Sequence, residues 1–401
     1  MKVYNCIGFV FLAFWVISCQ SKQNEIVKGV PEVLIHYMSW YGDEGAGEDS
    51  LRHWQFGHAN TPTIGLYDSH NKSTLYYHLL LAKSAGIDGV VVNVKDEYDR
   101  MGMERVLLAI KELDSLNEGA FDFKFAVSFD DQGFDLEAPL DTTLFKLTQF
   151  KANYIDGNKH YLRYGNKPVF YSFDYPNKFI TAKGLDQSLD SVFGKDQSIL
   201  IWNTFGEGEN TQDYVDAFYP WVQPGGEWME DGSNWGKPYL EYFYKQINQF
   251  ENKPYSFSGG GVWPGFDDRK NTSWGGDRLI SRSGGATYDS TWNYIHKYQG
   301  EVPMKYVMVE TWNDWNEGTE IEPSVEYGFQ NLVQTESNIL KLKGEERSGD
   351  TFKYEVAVSI YKVLKLMENK TEMDDKSVNQ AIKQFLNREY EEANKIIQEA
   401  L

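Results

Sequence analysis

The sequence predicts one (β/α)8 barrel, a TIM barrel, with a short C-terminal helical extension. Three observations lead there. Eight apolar, β-rich runs recur along the chain, amphipathic helical patterns lie between most of them, and polar or aromatic residues follow most of the runs.

The predicted strands are 33–37, 89–94, 123–129, 167–172, 198–203, 217–222, 256–263 and 306–310. They are rich in Val, Ile, Phe and Tyr, which suit a pleated, buried surface. The sixth is the weakest, because Pro220 has no N–H to give to a ladder. The seventh carries Gly259, Gly260 and Gly261, which make room for a close-approaching side chain or ligand. Helical spacing predicts helices over 73–85, ending at Gly86, and over 103–116, 144–155, 185–193, 239–250 and 288–298. A helix over 331–342 closes the barrel, and 347–401 reads as helical with no residues that carry chemistry. An open doubly wound sheet is the alternative, and it needs a phosphate-binding glycine loop after the first strand. The first strand runs instead into Met38-Ser39-Trp40-Tyr41-Gly42-Asp43, and the triple glycine lacks the lysine of a P-loop. The resulting map is a signal segment at 1–18, a tether at 19–30, the barrel at 31–343 and the extension at 344–401.

Composition narrows the class. The chain has 401 residues, 41% hydrophobic and 15% aromatic, enough for a large core with aromatic rings to spare for a cleft. A formal net charge of −20 opposes binding to a phosphate backbone, so a nucleic-acid partner is excluded, while a neutral glycan is compatible with it. Cys6 and Cys19 are the two cysteines, both in the first twenty residues. Lys2 opens a short charged region, and the apolar run 7–17 is too short to span a bilayer. Val16-Ile17-Ser18-Cys19 resembles the bacterial lipobox, in which the cysteine carries lipid and becomes the new N-terminus. That implies Cys19 as a lipidation site, a membrane partner reached through the lipid, and an outer-membrane lipoprotein facing the periplasm or the cell surface. The seven histidines form no His-Glu-x-x-His pattern, so no metal or other cofactor is expected. Oligomeric state has no signature in the sequence.

In a barrel the chemistry collects at the C-terminal ends of the strands. The predicted ends bring Trp40, Tyr41, Asn93, Asp131, Trp263, Asp267, Asp268 and Glu310 to one face as candidate substrate-binding residues. The eighth run continues into Thr311-Trp312-Asn313-Asp314-Trp315-Asn316-Glu317-Gly318-Thr319-Glu320-Ile321-Glu322-Pro323. Asp314 and Glu317 are two carboxylates three residues apart, interleaved with Trp312, Asn313 and Trp315. Paired carboxylates with flat rings beside them supply what glycosidic bond cleavage requires: an acid, a base and platforms for sugar faces.

The segment Asn313 to Pro323 is similar to the signature of glycoside hydrolase family 99, the endo-α-mannosidases and α-mannanases, and the related family 71 α-1,3-glucanases share an acidic pair at this spacing. The resemblance extends more weakly to the first-strand opening, to Ala82 through Gly89, and to Pro264-Gly265-Phe266-Asp267-Asp268 with Gly284 through Tyr288. It implies that Glu317 is the general acid/base, and that Asp314 is the base toward the sugar 2-hydroxyl or toward water. Asp314 departs from the family 99 pattern, which has Glu there. Aspartate is one methylene shorter, about 1.5 Å of reach, where a misplacement of about 1 Å can cost ~100-fold. The resemblance implies an exported, lipid-anchored glycoside hydrolase, endo-acting on α-linked glycan, with an α-mannan-like chain favoured. Two rivals stand beside it. One is a catalytically silent surface glycan-binding lipoprotein. The other is a glycosyltransferase-like protein of polysaccharide loci, which Glu322-Pro323 and Tyr327-Gly328-Phe329 also resemble.

Overall fold

The computed structural model describes residues 29–42, 52–130, 140–173, 181–203, 211–249, 257–346, 350–368 and 375–400. The signal segment, Cys19, most of the tether and Asp131 lie outside the described residues.

Eight strands form the barrel: β1 (Glu32–Met38), β2 (Gly89–Val94), β3 (Lys124–Phe129), β4 (Lys167–Ser172), β5 (Ile199–Trp202), β6 (Ala217–Phe218), β7 (Ser258–Val262) and β8 (Met304–Val309). Their order is β6-β5-β4-β3-β2-β1-β8-β7 and every ladder along it is parallel. Side chains alternate across the sheet, as a pleated strand requires. Leu34, Val91, Ala126, Val169, Tyr171, Ile201, Tyr219, Tyr306 and Met308 fill the interior. Val33, Ile35, Val90, Val92, Phe125, Val127, Val307 and Val309 face the surrounding helices.

The strand expectations hold to within a few residues at most ends, with one difference at β6. The Tyr219 N–H still reaches the Trp202 carbonyl at 3.0 Å, but Pro220 ends the donors, so the ladder stops at Phe218. The barrel closes between β6 and β7 without a backbone ladder among the described residues. Here the glycines of β7 matter. A Cβ on Gly261 would lie 2.3 Å from the Pro220 carbonyl oxygen, and one on Gly259 would lie 2.5 Å from the Tyr306 ring. The space the glycines make is filled by protein, and at Gly261 by backbone that cannot swing aside. Gly261→Ala is therefore expected to cost about 1–3 kcal/mol, read as a lowered midpoint in urea denaturation. An unchanged midpoint would mean the seam is loose.

The helices are α1 (Lys72–Ser84), α2 (Glu97–Leu116), α3 (Leu140–Phe150), α4 (Ala182–Phe193), α5 (Lys237–Gln249), α6 (Ala286–Tyr298) and α7 (Gln330–Leu342). Helix α2 starts six residues before the predicted 103. Its first turn is charged, and Asp96 caps it by accepting the Asp99 N–H at 3.1 Å. Helix α3 continues as a π-helical turn through Ile155. The extension is three helices: α8 (Phe352–Glu368), α9 (Asp375–Leu386) and α10 (Tyr390–Ala400). The last two are separated at Arg388, whose φ of 67° no helix continues through. Tyr354, Val356, Ile360, Val378 and Ile382 join the same apolar cluster as the outer face of the barrel. The Tyr361 ring lies 5.3 Å from that of Tyr77 on α1. The extension thus packs as part of the helical layer.

Candidate active site

The residues after β8 fold into a compact loop held by its own polar side chains. The Glu310–Thr311 peptide is cis. Asn313 accepts the Met38 N–H and donates to the Met38 carbonyl, both at 2.8 Å, which fastens the loop to the end of β1. The Asp314 N–H donates to Thr311 Oγ1 at 2.7 Å. Asn316 Nδ2 donates to the carbonyls of His53 and Gly57. Gly318 has a φ of 62°, and a Cβ there would come within 2.9 Å of Ala59 Cβ.

This loop forms one side of a pocket of about 200 Å3 at the mouth of the barrel. His36, Met38 and Asn93 line it from β1 and β2. Phe173 and Trp221 follow β4 and β6, and Lys95 and Asp130 follow β2 and β3. Trp40, His53 and Trp274 come from loops, and Asp314 and Glu317 from the β8 loop. The Trp40 and His53 rings stack at 4.5 Å with 8° between planes, and Trp274 meets Trp40 edge-on at 6.1 Å. Across the floor, Trp221 meets His36 at 5.0 Å and Phe173 at 4.8 Å.

The two carboxylates differ in setting. Asp314 is buried, and its Oδ1 accepts the Glu317 N–H at 3.1 Å. Glu317 is half-buried, and its Oε1 accepts the Trp274 indole N–H at 2.9 Å. Burial lifts Asp314 well above the usual carboxylate range, and the neighbouring Glu317 charge lifts it further. Burial also raises Glu317, while the Trp274 hydrogen bond and the Arg278 guanidinium oppose that rise. The pair therefore holds a proton to higher pH than a free acid would, as a proton donor at near-neutral pH requires.

Of the aromatic candidates, Trp40 lines the pocket and four others are placed elsewhere. Trp312 is fully buried against His78, and Trp315 is fully buried with its indole N–H on Tyr67 Oη at 3.0 Å. The Tyr41 hydroxyl donates to Asn316 Oδ1 and accepts the Trp315 N–H. Trp263 is fully buried and donates to the Trp235 carbonyl. These four rings are buried in the protein and are not among the residues that line the pocket, so they act as scaffold in this structure. Asn313 is likewise committed to Met38. Asp267 pairs with Arg269 at 2.8 Å. Asp268 pairs with Arg278 at 2.6 Å and also accepts the Gly276 and Arg278 N–H groups, which ties down the loop that presents Trp274. Asn93 does reach the pocket, where its side-chain amide bridges His36 Nε2 and Asp130 Oδ2.

Glu310 sits beneath the pocket, fully buried, with Oε2 3.4 Å from His36 Nδ1. Burial pushes Glu310 well above the usual carboxylate range and pulls His36 down to about 4, so it favours the uncharged form of each. Glu310 therefore lowers stability as pH rises past its unfolded value of about 4.3, by up to ~1.4 kcal/mol per unit, until the folded carboxyl ionises. His36 acts in the opposite sense, losing stability as pH falls from about 6.5 to about 4. Glu310→Gln removes the first effect alone. Its stability relative to the parent should climb as pH rises above about 4.5, measured by denaturation at each pH. A flat difference would mean Glu310 is ionised in the fold.

Sequence reasoning missed His53 and Trp274 as pocket residues. Both lie in loops away from strand ends, His53 with a φ of 62° after the residues that follow β1, and Trp274 beyond Asp268. His36 carried an inward position on the first strand, and that spacing was the available signal for it.

No protein-family model and no curated protein sequence matches the chain. The fold is a (β/α)8 barrel. It is similar to the family 99 endo-α-mannosidase of Bacteroides thetaiotaomicron, with a TM-score of 0.59 over 78% of this chain and 98% of that one, at 18% identity. The same enzyme in complex with bis-tris propane aligns equally, covering 97% of its length. A glycoside hydrolase-like protein aligns at a TM-score of 0.53 and 16% identity over 78% of this chain and 95% of that one.

Proposed function

We propose that the chain is a glycoside hydrolase that cleaves α-linked glycan, with α-mannan-like chains favoured and endo action expected. The observation that carries this reading is the pair Asp314 and Glu317 on the wall of an aromatic pocket at the strand ends, with a raised affinity for a proton. Glu317 reaches the pocket and is oriented by Trp274, so it is the group to protonate the leaving glycosidic oxygen as the C1–O bond breaks. Asp314 is the base, toward the 2-hydroxyl or toward water, in the state where it is ionised and the proton held by the pair rests on Glu317. Trp40, Trp221 and Trp274 offer rings to the sugar. The lipobox supports export and anchoring through Cys19 at the outer membrane, and an exported protein has no supply of nucleotide sugar.

The test is hydrolysis of a panel of α-linked polysaccharides by the purified chain, with products read by NMR. New reducing ends from one α-linked polymer are expected. Binding without any new reducing end would replace the enzyme with a glycan-binding lipoprotein, a reading that the shorter Asp314 favours. Turnover only with a nucleotide sugar would replace it with a transferase.

A further inference from the structure

The proton chemistry uses Asp314 and Glu317 and leaves a cation in the pocket without a task. Lys95 directly follows β2 and lines the pocket. Its backbone is fixed, since the Lys95 N–H donates to Asp99 Oδ2 at 2.9 Å and Asp99 is buried at the start of α2. Its side chain forms no ion pair with any described residue. Arg52 and Arg278, two other cations nearby, are already engaged by Asp96 and Asp268. The His53 ring shares the pocket wall with Lys95 and is held neutral, down to about 3, by burial and then by Arg52 and Lys95. His53 Nδ1 and the Trp40 indole N–H are buried with no hydrogen-bond partner.

The pocket thus holds the carboxylates of Asp130, Asp314 and Glu317 together with the Lys95 ammonium and the unpartnered nitrogens of His53 and Trp40. A half-buried ammonium gives up part of its hydration, and an anion carried by the ligand offsets that loss. A neutral hydroxyl can accept a hydrogen bond from Lys95 but leaves its charge uncompensated. The net charge of −20 does not override this, because within a pocket the nearest charges dominate over those beyond a screening length of about 8–10 Å.

We propose that the pocket takes a glycan bearing an acidic substituent, a carboxylate or a sulfate ester, seated against Lys95, His53 and Trp40. The proposal rests on the carbohydrate reading above and adds the charge of the substrate.

The test is calorimetric titration of the full chain carrying Glu317→Gln, which blocks turnover. The ligands are α-linked trisaccharides with manno and gluco backbones, each in neutral, uronate-bearing and sulfated form. At least one acidic form should bind roughly tenfold tighter than its neutral match. Lys95→Met should erase that preference. Lys95→Arg, which keeps the charge, should retain it, and so separates loss of charge from misfolding. Equal affinity for neutral and acidic forms, or a preference that survives Lys95→Met, overturns the acidic subsite and leaves the carbohydrate reading standing. Failure of every trisaccharide to bind overturns both.

Discussion

Glu317→Gln should lose turnover by ~10²–10⁴-fold, the usual worth of a positioned general acid, while the protein stays folded. The amide keeps an oxygen that can accept the Trp274 indole N–H, the contact made at 2.9 Å by the native carboxylate. It also removes the like-charge repulsion with Asp314 that raises the pair's affinity for protons. The melting temperature should therefore hold or rise slightly at neutral pH. The measurement is reducing-end release on the glycan identified from the panel, beside a thermal melt. A variant that kept most of its turnover would remove Glu317 from the mechanism. A variant that was inactive but unfolded would be uninformative, so the melt is read first.

Asn313→Ala should have the largest effect on stability, about 3–4 kcal/mol. The native amide makes both bonds to the buried Met38 backbone and a third to Tyr67 Oη at 3.2 Å. Truncation leaves the Met38 N–H and carbonyl unpaired in the interior, at about 1–3 kcal/mol each. It also frees the loop that places Asp314, so activity should fall together with stability. Urea denaturation checks the first and turnover at a temperature well below the variant's midpoint checks the second. A loss below about 1 kcal/mol would mean that Asn316 and Thr311 hold the loop without it.

These two residues stand four positions apart in one motif, yet they were not equally legible. The acids announce themselves because carboxylates next to rings have few structural explanations, and their position after the eighth apolar run places them at a barrel mouth. Asn313 and the tryptophans read as substrate contacts for the same reason, and the fold turns them inward. Along a loop of irregular backbone there is no period of 2 or 3.6 to assign a face. Trp312 and Trp315 thus could not be sorted into core or cleft from their spacing. The buried acids Glu320 and Glu322 are likewise explained by partners distant in sequence, Arg282 at 2.6 Å and His78 at 3.0 Å.

The sequence alone determined the barrel. Eight runs of buried β-formers, helical patterns between them and a weak sixth strand at Pro220 are local signals, and local propensity agrees with the global architecture. It also determined the acidic pair and its place at the strand ends. Tertiary structure alone decided which rings line the pocket, that Trp274 hydrogen-bonds Glu317, and that Lys95 shares the pocket with His53 and has no ion pair among the described residues. Those contacts join β1, β2 and loops that lie from some forty residues apart, as for Trp274 and Glu317, to more than two hundred, as for Trp40 and Trp274. Their geometry comes from how the barrel closes and from which side each loop falls, and neither is written in the spacing of neighbouring residues.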